Sequence, residues 1–129
     1  VNLVKKLVGL GVAQMVLGNH ELNLLKGSRK HGNHWWWGET ETIRMDKKAL
    51  SLQVFPPSDA WKEEARAFLL SLPLALERPG ARVCHACWHP ESIEALRGFE
   101  GDCMAATEHF RGVSAANVER MRARGASEA

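Results

Sequence analysis

An asparagine, a histidine and a carboxylate follow an apolar run in the segment Gly18-Asn19-His20-Glu21. An asparagine side chain offers a neutral oxygen to a metal ion, and a histidine beside it can bind a metal or act as a general acid. A strand is predicted at residues 13–17, and a helical pattern follows the glycine. α/β proteins place ligand-binding groups at such strand ends. The same residues also suit an ordinary strand-to-helix turn in which the asparagine caps the helix.

A second group of potential ligands lies at residues 84–89, where the sequence reads CHACWH. Cysteine and histidine are the usual zinc ligands, but structural zinc sites draw two ligand pairs from separate segments. A second pair would have to come from Cys103 and His109, which show no zinc-ligand spacing. Alternation along a strand also turns Cys84 away from His85, so we predict a buried, inert thiol at Cys84. The alternative is a zinc-stabilised binding module that uses Cys84, His85, Cys87 and His89.

Three consecutive tryptophans lie in a segment rich in glycine, histidine and asparagine, at residues 27–38. A tryptophan face can stack on a nucleobase, with about 1–3 kcal/mol per base, and arginine can pair with phosphate. The segment is therefore a candidate substrate-side lid, with Arg29, Trp36 and Arg44 as its substrate-binding residues. The alternative is a mobile loop whose tryptophans pack onto the domain.

The apolar pattern predicts the elements that position these groups. Apolar residues at helical spacing predict helices over residues 1–10, 21–26, 40–52, 58–71, 90–97 and 114–124. Gly11 suits the position after the first helix, and Ser58 and Ser114 suit the N-caps of two others. An apolar run without polar alternation predicts a strand covered on both faces at residues 13–17. The pair Pro79-Gly80 suits a type II turn, which predicts a β-hairpin from residues 72–77 and 81–86.

The GNHE sequence, with an apolar strand before it and a helix after it, resembles the third signature of the calcineurin-like metallophosphoesterases. That superfamily includes the PPP-type serine/threonine phosphatases and the symmetrical diadenosine tetraphosphatases. A second block, LPLALERPGARVCHACWHP at residues 72–90, resembles the later hairpin of the family, in which a strand ends in a metal-binding histidine. GNHWWWGE at residues 32–39 is similar to an insert that follows the GNH motif in bacterial members. The resemblance covers about residues 1–97.

The resemblance implies roles for three residues of this chain. Asn19 and His85 would be ligands of the same metal ion, and His20 would contact the phosphate and protonate the leaving oxygen. The implied activity is metal-dependent hydrolysis of a phosphate monoester or a nucleotide polyphosphate, with two divalent ions such as Mn, Fe or Zn as cofactors. The implied substrate is a phosphorylated small molecule, a nucleotide or a phosphoprotein.

The family fold is a four-layer α/β/β/α sandwich, and we expect this chain to hold only part of it. The first residues already read as the middle of a helix, which indicates a chain entered partway through a domain. The expected architecture is α/β, a partial sandwich without the N-terminal βαβ unit and the C-terminal strands. Residues 1–129 would form a single partial domain, with a helical C-terminal segment at 98–129.

The chain departs from the family pattern in its acidic residues. The D-x-H and G-D-x-x-D blocks are absent, and the three aspartates, Asp46, Asp59 and Asp102, lie outside any such block. Cys87 stands where the family has a glycine. Two metal ions about 3.5–4 Å apart need a bridging carboxylate, whereas the two implied ligands are neutral. We therefore expect this chain alone to be inactive and its intact parent to be active.

The composition excludes several classes of function. A net charge of +2 and a pI of about 8.6 are too mild to argue for nucleic acid. No apolar run approaches the roughly 20 residues of a membrane span, so we expect no membrane partner. Three cysteines exclude a complete disulfide framework, which predicts reduced thiols and a cytoplasmic protein. The sequence does not fix the oligomeric state, and a non-catalytic interaction domain that contains GNHE stays open as an alternative.

Overall fold

The computed structural model describes residues 2–45, 48–52 and 54–127. They form two units, one at residues 1–88 and one at residues 89–129. The described elements mix helices with two separate two-stranded antiparallel sheets, which is consistent with the expected α/β class only in the general sense of a mixed helix and strand content. In chain order they are α1 (Asn2–Gly9), α2 (Asn19–Leu25), a 3₁₀ turn (His34–Trp37), β1 (Glu41–Met45), β2 (Lys48–Leu52), α3 (Asp59–Leu70), β3 (Ala75–Arg78), β4 (Ala81–Cys84), α4 (Pro90–Arg97) and α5 (Cys103–Ser127).

Helix α1 ends where the glycine signal predicts. Gly11 has a φ of +69°, a conformation that glycine adopts without a Cβ penalty. Its amide donates to Val8 O over 2.9 Å, and the Val12 amide donates to Leu7 O over 3.1 Å. These two hydrogen bonds define a Schellman motif, which satisfies the last carbonyls of the helix. The predicted helix end is therefore confirmed.

The predicted strand at residues 13–17 is wrong, because these residues have no regular secondary structure. The segment is tied down at its end, where the Leu17 amide donates to Pro73 O over 2.9 Å and the Leu17 side chain is buried. A strand needs a ladder of hydrogen bonds to a neighbour, and no described strand pairs with this segment. The apolar run therefore signals burial of Leu17 without sheet formation.

The prediction of a helix at residues 40–52 is also wrong. Strands β1 and β2 form an antiparallel hairpin there, in which Thr42 pairs with Ser51 and Ile43 pairs with Leu50. Thr42 and Ile43 are β-branched, and such residues are restricted in a helix and favoured in a strand. Asp46 and Lys47, between the two strands, lie outside the described residues.

Helix α3 begins as predicted at the Ser58 cap, whose Oγ accepts a hydrogen bond from the Trp61 amide at 3.3 Å. The helix buries Ala65 and Leu69 and half-buries Trp61. Helix α3 therefore contributes Ala65 and Leu69 to the core of the first unit, with Trp61 packed against it.

One cluster in the core of the first unit is rich in tryptophan. Leu24 of α2, Trp36 of the 3₁₀ turn and Ala65 of α3 form a buried cluster, and Trp35, Trp37 and Trp61 pack against it. The Trp36 ring lies 5.7 Å from Trp35 and 5.9 Å from Trp61 between ring centroids, in edge and tilted geometries that aromatic pairs favour. The tryptophans therefore hold α2 and α3 together.

Two polar contacts attach α1 to α3. The Trp61 indole donates to Asn2 Oδ1 over 2.7 Å, and Lys5 pairs with Glu64 over 2.8 Å. The hydrogen bond and the charge of Lys5 lower the pKa of the Glu64 carboxyl. Both partners are exposed, so this ion pair adds little stability.

The hairpin of β3 and β4 is confirmed, with Gly80 at a φ of +80° in the turn and Leu76 paired with Val83. Strand β4 ends at Cys84, so His85 is the first residue beyond the strand.

The second unit contains α4 and α5. Pro90 occupies the first turn of α4 as predicted, and His89 caps this helix, its Nδ1 accepting from the Ser92 amide at 3.4 Å. The predicted start of the last helix at Ser114 is wrong, because α5 already begins at Cys103. Asp102 Oδ1 accepts hydrogen bonds from the Met104 and Ala105 amides at 2.9 and 2.8 Å, as an N-cap does.

Candidate functional site

The GNHE turn opens helix α2. Gly18 is the N-cap residue, with extended backbone angles and no side-chain cap, and the Leu22 amide donates to its carbonyl over 3.0 Å. Asn19 is therefore the first helical residue rather than the cap. Gly18 is buried, whereas the side chains of Asn19 and His20 are exposed, so both side chains are accessible from solvent.

His85 lies against this turn although it is distant in sequence. A Cβ built on Gly18 would stand 3.0 Å from His85 Cδ2 and 3.2 Å from His85 Nε2. The same point lies 2.5 Å from Glu21 Oε2. An imidazole and a carboxylate thus share the space that the missing side chain of Gly18 leaves open. The structure therefore brings His85 beside the residue that precedes Asn19.

The imidazole of His20 is held by a second segment of the chain. The Asn33 side-chain amide donates to His20 O over 2.8 Å, and Asn33 Oδ1 lies 3.2 Å from His20 Nδ1. Asn33 is only 2% exposed. Gly32, at a φ of +87°, lets the ring approach closely, because a Cβ there would stand 2.9 Å from His20 Cε1.

Sequence analysis missed Asn33 as a functional candidate. The sequence signal for Asn33 is its place between a glycine and a segment with three tryptophans. Because tryptophans tend to be buried, a polar residue beside them is a candidate for a buried hydrogen-bonding role. A buried amide needs hydrogen-bond partners, and here those partners belong to His20.

A cavity of about 290 Å³ borders the same histidine. His20, Glu21 and Asn33 line it together with the apolar residues Leu24 and Trp35, among others. This combination of a few polar groups with apolar walls is typical of small-molecule sites.

Of the three predicted substrate-binding residues, Trp36 lines the same cavity as His20, whereas Arg29 does not. Trp36 is 6% exposed and lies in the core, so stacking on a nucleobase would require the aromatic cluster to open. Arg29 pairs with Glu39, and its guanidinium lies 5.3 Å from the centre of the Trp37 ring. Arg44 lies in β1, and its side chain is outside the described part of the chain.

Two contacts of Glu39 brace the segment at residues 27–38. Besides Arg29, Glu39 pairs with His34, whose Nδ1 lies 3.0 Å from the second carboxylate oxygen. The three tryptophans of this segment lie in or against the core of the first unit, which is the packing that the alternative interpretation gives them.

The residues at the turn fit one metal ion only in part. Asn19 and Glu21 offer oxygens and His85 offers a nitrogen, a donor set that suits Mn, Fe or Zn. Within the described ranges, however, no group of three or more His, Cys, Asp or Glu side chains is placed to hold a metal ion.

The aspartates do not supply the carboxylates of a two-ion centre. Asp59 is fully exposed and pairs with Lys62, Asp102 caps α5, and Asp46 lies outside the described residues. The described residues therefore do not fit a pair of metal ions.

The burial of the cysteines differs from the prediction. Cys84 is only half-buried and Cys87 is exposed, so the prediction of a buried thiol at Cys84 is wrong. The buried thiol is Cys103, and burial, helped by the charge of Asp102, raises its pKa. Among the potential zinc ligands, His89 already uses Nδ1 to cap α4.

In the part of the chain that the structure describes, no helix combines the length and the apolar character needed to cross a membrane. No family model, curated protein or solved structure matches this chain. The case for a function therefore rests on the geometry of the GNHE turn.

Proposed function

We propose that the GNHE turn and His85 form part of a metal-dependent phosphoesterase site. The observation that carries the proposal is the approach of the His85 imidazole to Gly18 and Glu21. Two segments that the sequence resemblance links to one metal ion thus meet at one point. In this proposal Asn19 and His85 are metal ligands, and His20 binds the phosphate and protonates the leaving oxygen.

The position of His20 supports its part in the proposal. The imidazole is exposed, and its Nδ1 is occupied by the buried Asn33. Nε2 is therefore the nitrogen through which the ring can hold a proton and donate it to an anionic oxygen. General acids of this kind contribute about 10²–10⁴-fold to a reaction.

The donor atoms at the GNHE turn determine how a metal ion could be bound there. When bound, a divalent ion polarises a phosphoryl oxygen. Asn19, Glu21 and His85 would hold such an ion on one side only, and the carboxylates that complete a two-ion centre would come from outside this chain in an intact parent.

The same proposal includes a specific fold and a class of substrate. The fold would be a partial four-layer α/β/β/α sandwich, and the substrate a phosphorylated small molecule, a nucleotide or a phosphoprotein. The cavity beside His20 supports a substrate with an uncharged, apolar part near the phosphate, because most of its walls are apolar.

Binding of Mn²⁺ to the purified chain tests the ligand assignment. Free Mn²⁺ is followed by electron paramagnetic resonance for the wild type and for the variants Asn19→Ala and His85→Ala. We expect weak binding of one ion, lost in both variants because each removes one of few donors. Asn23→Ala, on the same helix, and His31→Ala, an exposed imidazole of the same unit, are matched controls that should bind like the wild type. Equal losses in the controls and the ligand variants would overturn the assignment.

Two further observations test the activity. With Mn²⁺ and p-nitrophenyl phosphate we expect no turnover by this chain alone, and strong turnover would contradict the need for external carboxylates. The coding sequence before the Val1 codon is the second observation. A D-x-H block followed by G-D-x-x-D would support the phosphoesterase, whereas a complete gene without both would favour an interaction domain.

A further inference from the structure

We propose that Asn33 is a positioning residue that fixes the imidazole of His20 in one tautomer, with its hydrogen on Nδ1. The inference deepens the proposed function, since it rests on the role of His20 in binding phosphate. It concerns a residue that lies in a different segment from the GNHE turn.

The orientation of the Asn33 amide follows from the His20 backbone. A carbonyl oxygen only accepts hydrogen bonds, so the group that lies 2.8 Å from His20 O must be the NH₂ of Asn33. The amide oxygen of Asn33 then faces the ring. The oxygen and nitrogen of an amide are assigned from such networks, and here the backbone partner leaves one orientation.

The tautomer follows from the amide. Asn33 Oδ1 only accepts, and it lies 3.2 Å from His20 Nδ1. Nδ1 must therefore carry a hydrogen, and the neutral ring has its free electron pair on Nε2. A proton that the ring takes up or releases is then exchanged at Nε2.

The surroundings make this arrangement rigid. Asn33 is almost fully buried, and none of the buried side-chain nitrogen and oxygen atoms in the described residues lacks a hydrogen-bond partner. The adjacent Gly32 brings its backbone against the edge of the ring, where a Cβ would stand 2.9 Å from His20 Cε1. The ring is therefore fixed at Nδ1 by Asn33 and bounded at Cε1 by Gly32.

The contact with Asn33 decides which ring nitrogen of neutral His20 carries the hydrogen. Unconstrained histidine in water prefers the tautomer with hydrogen on Nε2, which would present a donor in the neutral ring. Asn33 reverses this preference, so that neutral His20 presents an acceptor and protonated His20 presents a donor at the same atom. A residue that fixes the tautomer of a catalytic imidazole keeps the reacting nitrogen at one place.

Long-range ¹H–¹⁵N spectra of the imidazole rings test the proposal, because they distinguish the two neutral tautomers directly. The spectra are recorded at about pH 9, above the usual range of histidine. We expect His20 with hydrogen on Nδ1 in the wild type. His89 is an internal reference of the opposite kind, since its Nδ1 accepts a hydrogen bond from the Ser92 amide.

Two variants of Asn33 separate its hydrogen bond with His20 Nδ1 from its hydrogen bond to His20 O. Asn33→Leu keeps the number of side-chain heavy atoms and the branching at Cγ and removes both hydrogen bonds, so the His20 tautomer ratio should shift toward Nε2–H by roughly 3- to 10-fold, the effect of one neutral hydrogen bond. Asn33→Asp keeps an acceptor for Nδ1–H and should retain the wild-type tautomer. Asn23→Leu is the matched control on α2 and should leave the ratio unchanged.

A wild-type His20 with hydrogen on Nε2 would overturn the proposal, and this measurement needs no variant that might not fold. An unchanged ratio in folded Asn33→Leu would overturn it as well. The Mn²⁺ titration does not depend on the tautomer, so a failure of the metal assignment and a failure of the positioning role give different results.

Discussion

Replacing Gly18 with alanine tests the close approach of His85 to the GNHE turn. The new Cβ would stand 3.0 Å from His85 Cδ2, 3.2 Å from His85 Nε2 and 2.5 Å from Glu21 Oε2. The end of the Glu21 side chain can rotate away at small cost, whereas the imidazole has to shift as a rigid ring. The backbone at Gly18 is extended, with φ −99° and ψ 174°, so alanine meets no backbone strain.

Three contributions set the change in the free energy of unfolding. Alanine restricts the unfolded chain, which stabilises the fold by about 0.4–1 kcal/mol. Alanine is a poorer N-cap than glycine, which costs about 0.5–1 kcal/mol. These two nearly cancel, and moving His85 off its rotamer costs about 0.5–1.5 kcal/mol. We therefore expect Gly18→Ala to destabilise the protein by about 0.5–1.5 kcal/mol, almost all of it from the displaced imidazole.

Urea unfolding followed by tryptophan fluorescence measures this change, because four tryptophans pack in or against the core of the same unit. Gly9→Ala is the control, since a Cβ at Gly9, within helix α1, would meet nothing within 4 Å. Alanine there should stabilise the helix by about 0.5–1 kcal/mol.

A double-mutant cycle isolates the contact with the imidazole. In a His85→Ala background the displaced ring is absent, so Gly18→Ala should lose its penalty. Distant, independent substitutions add to within about 0.3–0.5 kcal/mol. If the cost of Gly18→Ala is the same with and without His85, within that margin, the imidazole does not lie over Gly18 and the main support for the proposed site is lost.

Three further predictions concern the fold. Ser58→Ala removes the cap of α3 and should lower the free energy of unfolding in urea by about 1 kcal/mol. Ser58→Gly should lower it by only about a few tenths of a kcal/mol, and equal losses in the two variants would argue against a side-chain cap. Because Lys5 lowers the pKa of Glu64, this pair stabilises the fold above the usual titration range of glutamate, and the stabilisation is lost as pH falls through the lowered pKa. Because the pair is exposed, Lys5→Met should reduce the acid dependence of the urea midpoint between about pH 7 and pH 3 only slightly, and a steeper acid dependence in the variant would contradict the pairing. Burial raises the pKa of Cys103 while Cys87 is exposed, so iodoacetamide should alkylate Cys87 well before Cys103 in the folded protein, as mass spectrometry of peptides would show; the reverse order would contradict the burial.

The parts of the fold that sequence analysis predicted correctly depend on local chemistry. Ser58 caps α3 with its own hydroxyl, Gly11 ends α1 by its backbone conformation, and Gly80 makes the turn of the second hairpin. Each signal acts within a few residues, so its outcome does not depend on the rest of the chain.

The errors arose where the local residue pattern was compatible with more than one structure. Residues 13–17 have the composition of a buried strand, but a strand exists only with a paired neighbour. Residues 40–52 pair with each other as a hairpin, a choice that apolar spacing did not distinguish from a helix. Ser114 has the chemistry of a cap, yet Asp102 caps the same helix twelve residues earlier along the sequence.

In the candidate site, too, the residues with a local sequence signal were predicted and the residue without one was not. The residue types of the GNHE turn suggested chemistry, and the resemblance linked this turn to His85. Asn33 was not predicted, because its importance comes from a hydrogen bond across thirteen residues and from burial beside the tryptophans. No local pattern reports such a contact.

The position of Asn33 also couples the site to the folding of the protein. Asn33 precedes the 3₁₀ turn, and its carbonyl accepts a hydrogen bond from the Trp36 amide at 3.1 Å. The residue that orients His20 is thus continuous with the turn that carries Trp36 into the core. The site therefore has no hinge between its orienting residue and the core, and its geometry persists for as long as the aromatic cluster stays packed.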